Sequence, residues 1–216
     1  MLSKIRGYWK RPELSAFDQT LTREQLIQTG RITIIDDENP LLIEELQKEG
    51  FAVDHDKSGS ELRHLENQIY DLAIVDYHGV GRKLGSGQGL DLLKHIRRVS
   101  PRTRIIAYTS RSLTATESEF FRLSHAVLPK DLGLGDSLAL IESELRKAFS
   151  KEYLFDALLA KLNVSDERER RRIQKALVKA LKRGDEAGFS ETITKLAGTV
   201  AEKAAGAIIA RMFATK

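Results

Sequence analysis

Between residues 31 and 149 the chain alternates between short apolar runs of strand type and longer stretches whose apolar residues recur at helical spacing. The strand candidates are 32–35, 51–53, 72–75, 105–108 and 126–128, and amphipathic segments near 40–49, 60–69, 89–99, 112–123 and 135–149 separate or follow them. Strands joined by helices cannot pair as hairpins. Each connection must cross over, which predicts a parallel sheet covered by helices on both faces. Local punctuation agrees. Asn39 is placed to cap the first helix, with Pro40 at its first position and Gly50 beyond its end, and Pro101 closes the helix that carries Leu90, Leu93 and Ile96.

The flanking segments follow other patterns. In residues 1–30, Thr22 and Gln25 fit a capping box with Leu21 and Leu26 as a hydrophobic staple, so a short helix should precede the first strand. Met1, Leu2, Ile5, Tyr8 and Trp9 offer an apolar face for packing. After Gly135 neither Gly nor Pro occurs until Gly184, so the fifth helix is expected to continue through Phe149, Tyr153 and Leu159 to Asn163. A second helix should start from a Ser165 cap, with Ile173, Leu177, Ala180 and Leu181 on one face, basic residues elsewhere and Gly184 as its stop. Two further helices are expected over 185–213, broken near Gly198. The division expected is 1–30, an N-terminal extension that is partly helical; 31–149, an α/β domain; and 150–216, an all-α module.

Charge follows that division. The net charge is +4, but residues 151–216 carry 14 basic against 9 acidic groups, while 31–150 carry 16 against 19. There are no cysteines, which removes disulfide and zinc–thiolate frameworks, and no apolar run approaches the ~20 residues of a membrane span. A cytoplasmic location is the expectation.

Chemistry gathers at the strand ends. In a doubly wound, flavodoxin-like sheet of order 2-1-3-4-5, the carboxyl ends of strands 1 and 3 lie side by side at the switch point where such folds bind ligands. Strand 1 runs into Asp36 and Asp37, and strand 3 ends in Asp76. Two such charges about 4 Å apart repel by roughly 4 kcal/mol at an effective dielectric near 20. The cluster therefore requires a proton, a cation or a positive side chain, and an oxygen-rich site with room for water and phosphate suits Mg²⁺. Strand 4 ends in Thr109 and Ser110, and strand 5 leads to Lys130. A carboxylate nucleophile, a divalent ion, a hydroxyl and an ammonium are the parts needed to move a phosphoryl group onto Asp76.

With these residues in order, segment 31–149 resembles the receiver domain of bacterial two-component response regulators, down to the helix GLDLLKHIRRVSP. The resemblance implies phosphorylation of Asp76 by a sensor histidine kinase, Mg²⁺ held by Asp36, Asp37, Asp76 and the backbone carbonyl of His78, and phosphoryl contacts from Thr109 and Lys130. It implies no enzymatic activity beyond phosphorylation and dephosphorylation at Asp76. This sequence departs from the pattern in three places. Val127 stands where an aromatic switch residue is usual, Pro129 precedes Lys130, and the loop after Asp76 has five glycines between Gly79 and Gly89 and lacks the usual proline. Flexibility is the expected reason for Gly85, Gly87 and Gly89, which precede the helix. For 150–216 the expectation is a helical interaction or dimerisation module, giving a homodimer through its helices, with nucleic-acid binding by the basic helices as the alternative. A receiver-like scaffold that is never phosphorylated is a third reading.

Overall fold

The computed structural model describes residues 14–110 and 118–214. Five parallel strands, β1 (Arg31–Ile35), β2 (Ala52–Asp56), β3 (Leu72–Asp76), β4 (Arg104–Thr109) and β5 (Ala126–Pro129), form one sheet in the order β2-β1-β3-β4-β5. Helix α1 (Arg23–Thr29) precedes β1, and α2 (Leu41–Lys48), α3 (Leu62–Glu66), α4 (Gly89–Val99) and α5 (Ser118–Leu123) fill the crossovers. Side-chain alternation divides the core in two. Ile32, Ile34, Leu72, Ile74, Ile106 and Leu128 face the helices on one side, including Leu42 and Leu46 of α2. Ile35, Ala73, Val75, Ile105 and Ala107 face the other, against Leu92, Leu93 and Ile96 of α4 and Phe120 of α5. The central strand β3 is buried along its whole length.

The capping box at Thr22 and Gln25 is present in both directions, and Leu21 and Leu26 are both buried in the first of these layers. Asn39 does not cap α2. Pro40 does, in extended conformation, because its fixed φ leaves the next residue to begin the helix. The expected continuous helix from 135 to 163 is two helices, α6 (Leu134–Ala148) and α7 (Lys151–Lys161). Ser150 breaks it: its backbone is extended and its hydroxyl accepts from the Tyr153 amide, so it starts a new helix where composition alone would continue the old one. Likewise Asp166 caps α8 (Glu167–Arg183), not Ser165, by accepting from the amides of Arg168 and Glu169. Gly184 ends α8 in left-handed geometry. Helices α9 (Glu186–Ala197) and α10 (Thr199–Phe213) meet at Gly198 as expected.

Helices α7–α10 enclose a separate core of Leu154, Leu158, Leu177, Phe189, Ile193 and Ile208, with Leu14 and Phe17 of a short N-terminal turn packed against it. The residues before 14, with their expected apolar face, lie outside the described residues. Among the described residues no helix is long and apolar enough to cross a membrane.

The helical core is pinned to the sheet at the amino ends of its strands. Asp71, which immediately precedes β3, is fully buried and shared by two guanidiniums, Arg102 and Arg211 of α10. Its Oδ2 also accepts from the Arg31 amide at 3.0 Å. Nearby, Tyr153 of α7 donates to the Pro101 carbonyl at 3.2 Å, and Lys161 reaches the Val99 carbonyl at 2.6 Å. His125 sits in the same joint, where its Nδ1 accepts from the Ile105 amide at 2.8 Å. Burial, reinforced by the charges of Arg104 and Arg97, lowers its pKa to about 4.

Two outcomes follow. Asp71→Asn strips the counter-charge from buried Arg102 and partly buried Arg211 and is expected to cost about 3–5 kcal/mol in urea unfolding. A loss under 1 kcal/mol would show that the joint does not depend on that charge. His125 is neutral in the fold and ordinary when unfolded, so the unfolded chain binds the extra proton between about pH 4 and 6.5 and stability falls as pH drops through that window. The contribution is up to about 3 kcal/mol. It is measured as the difference between the pH–stability curves of the parent and His125→Asn, which converge at low pH if His125 is the group responsible.

Candidate functional site

The switch point between β1 and β3 carries the acids. Ile35 of β1 pairs with Val75 of β3, so the residues that follow, Asp36 and Asp76, emerge side by side at the same end of the sheet. Asp36 is fully buried, Asp76 is 8% exposed and Asp37 is exposed, and one carboxylate oxygen from each lies within 4.8 Å of the others. Asp36 Oδ1 accepts from the Glu38 amide at 2.9 Å, which fixes the carboxylate's orientation. Glu38 itself stays exposed in the loop before α2.

Lys130 answers the charge. Pro129 pairs with Thr109 across β4 and β5, and the Lys130 amide donates to the Thr109 carbonyl at 2.7 Å, carrying the ladder one residue past the proline. The ammonium reaches 2.8 Å from Asp36 Oδ2 and 3.3 Å from Asp76 Oδ2. Burial would lower its pKa, but the two carboxylates outweigh burial and raise it, so it stays charged. The Asp76 pKa also rises, here because burial, with the Asp36 charge beside it, outweighs Lys130. Asp76 Oδ1 accepts from the Tyr77 amide at 2.8 Å, which turns Oδ2 toward Lys130.

These residues fit a divalent cation. Asp36 Oδ2 is buried and its contact among the described residues is the ion pair with Lys130 at 2.8 Å, so acceptor capacity remains. Three hard oxygen donors with one exposed side suit Mg²⁺, which keeps several waters.

The loop after Asp76 is built against the site. Gly79 has φ +75, and a Cβ there would stand 1.9 Å from Asp37 Oδ2. At Gly89 a Cβ would stand 2.3 Å from the Asp76 carbonyl oxygen, and its amide donates to the Tyr77 carbonyl at 2.9 Å. Close approach therefore explains these two glycines, and at Gly89 it corrects the expectation of flexibility. Gln88 folds back so that its Oε1 accepts from the Gly79 amide at 3.0 Å.

Asp36, Asp37, Asp76 and Lys130 are thus brought together, and Thr109 ends β4 beside them. His78 is exposed on the loop with its ring edge-on to Tyr77, centroids 4.9 Å apart. Val127, 38% exposed on β5, has no aromatic bulk to offer. Two residues escaped sequence reasoning. Tyr108 places its ring 5.0 Å from Lys130 Nζ, and His55 Nε2 lies 2.9 Å from the Asp36 carbonyl oxygen. The signal for Tyr108 was its place next to Thr109; nothing local marks His55, whose partner lies across the β1–β2 pair.

Sheet order, helices on both faces and an acidic carboxyl-end site define a flavodoxin-like α/β fold. No family model matches the chain. It is similar to the alginate biosynthesis transcriptional regulatory protein AlgB of Pseudomonas aeruginosa, 29% identical over 148 residues, or 66% of this chain and 30% of that protein. Its Pseudomonas putida counterpart is 32% identical over 91 residues, 40% of this chain and 19% of that one. The chain thus spans less than a third of these relatives. Among solved structures, a CheY-like receiver domain from Methanospirillum hungatei is 22% identical at a TM-score of 0.48, covering 55% of this chain and 95% of that one. TrrA of Thermotoga maritima, solved with Mg²⁺ and beryllium fluoride, is 25% identical at a TM-score of 0.46, covering 53% and 98%.

Gly79→Ala tests the site's construction. The added methyl displaces the Asp37 carboxylate, so Mg²⁺ affinity, read from amide shifts around Asp36 and Asp76, should fall roughly 10- to 100-fold. Gly133→Ala, with open space around it, should leave affinity unchanged.

Proposed function

We propose that the protein is a response regulator whose Asp76 accepts a phosphoryl group from a sensor histidine kinase. The observation that carries this reading is the shared ammonium of Lys130, 2.8 Å from Asp36 and 3.3 Å from Asp76, beside a third carboxylate at the switch point. Asp76 Oδ2 is the nucleophile. It forms a bond to phosphorus as the phosphorus–nitrogen bond to the donor imidazole breaks, leaving an acyl phosphate on Asp76 and the proton on the departing imidazole. Lys130 then balances the added negative charge, and the Thr109 hydroxyl donates to a phosphoryl oxygen on this reading. Mg²⁺, held by Asp36, Asp37, Asp76 and the His78 carbonyl, would neutralise the phosphoryl oxygens during transfer.

On this reading residues 31–149 receive the signal, 1–30 extend that unit and 150–216 act on it as a helical interaction and dimerisation module. One observation favours the alternative of nucleic-acid binding. Arg168, Arg172, Lys175, Lys179 and Lys182 recur every three or four residues along α8, all exposed, while its acids are confined to its first turn. Asp166 is used as a cap and Glu167 pairs with Arg171 at 3.0 Å, so neither interrupts that stripe.

Beryllium fluoride with Mg²⁺, an acyl-phosphate mimic, should shift the amides around Asp76, Thr109 and Lys130 in the full chain. The response should vanish in Asp76→Asn. A parent protein that binds Mg²⁺ yet shows no response to the fluoride would be a non-phosphorylated scaffold.

A further inference from the structure

At the joint between the sheet and α10 the charges do not balance. Asp71 is the sole carboxylate between Arg102 and Arg211, whose side chains are 6% and 18% exposed. Their remaining contacts among the described residues carry no negative charge: Arg102 Nε donates to the Gln68 carbonyl at 2.8 Å, Arg211 donates to the Thr29 carbonyl at 2.8 Å, and the Arg211 guanidinium lies 4.3 Å over the Phe149 ring. One positive charge is left over in a largely buried place. Arg31 adds another at the edge, and its side chain has no ion partner among the described residues. All three arginines line a cleft of about 410 Å³, which has no carboxylate among its described lining residues. Ala207 and Ala210 of α10 also line it, and their side chains are small and uncharged.

Uncompensated buried charge is costly, and guanidiniums match carboxylate and phosphate groups in paired hydrogen bonds. We infer that this cleft binds a small polyvalent oxyanion, a phosphate- or carboxylate-bearing metabolite, held between Arg31 of β1 and Arg211 of α10 with Arg102 beneath. The volume suits a compact ligand. A ligand there touches both the sheet and the helical core, so its binding strengthens their docking. The site lies at the amino ends of the strands and stands independently of phosphorylation at Asp76.

The test uses the full chain, inorganic phosphate and citrate as probes, chloride-matched ionic strength and a chelator to remove divalent ions. Arginine Nε–H resonances of Arg31, Arg102 and Arg211 are followed by NMR. Saturable shifts are expected with one or both probes, phosphate alone marking a phosphoryl ligand and citrate alone a carboxylate one. Arg31→Gln should weaken binding about tenfold, the loss of one charge-assisted contact. Ala210→Glu supplies an internal carboxylate and should abolish it, and Asp76→Asn should leave it unchanged. Shifts that stay linear with both probes, that survive Ala210→Glu, or that disappear in Asp76→Asn would each overturn the inference.

Discussion

The site depends on one lysine standing between two aspartates. Adjacent parallel strands that both end in acids bring like charges together, and a sheet with Asp36 fully buried could not tolerate that without a counter-charge. Lys130 supplies it from β5, two strands away from β3. The ordering of β5 and the tight Pro129–Lys130 turn are therefore tied to the stability of the acidic cluster. Tyr108 supports the same ammonium with its ring face.

Much of this was legible in the chain because it rests on local rules. Alternation of strand and helix patterns fixes a parallel sheet, and the carboxyl-end rule then brings Asp36, Asp37, Asp76 and Lys130 together without any knowledge of their contacts. The misses were equally physical. Ser150 starts a new helix by capping it, an effect invisible to a search for Gly and Pro breaks. Gly89 looked like part of a flexible linker because sequence shows how little space a residue takes, not what stands opposite it. Asp71 gave no signal, since its partners Arg102 and Arg211 are 31 and 140 residues away.

The placement of the helical core also departs from the simplest picture of signalling through one long helix. Helix α6 ends at Ala148, and α7 sets off again after a capped break. The attachments of α7 and α10 to the sheet lie around Asp71, Val99 and Pro101, before β3 and β4 begin, at the end of the sheet opposite the acidic cluster. Arg104 adds a link between β4 and α6 through Glu144, at 2.7 Å, and lies 4.9 Å over the Tyr153 ring.

Strand β3 carries both ends of this arrangement within six consecutive residues, from Asp71 to Asp76. Side chains alternate along a strand, so a slip by one position would turn Ile74 out of its layer. The same slip would withdraw Asp71 from its arginines and Asp76 from Lys130. The strand is a ruler with a charged stop at each end, and a misregistered sheet forfeits both ion clusters in one step. Proofreading of the fold and assembly of the acidic cluster are, in this chain, the same event.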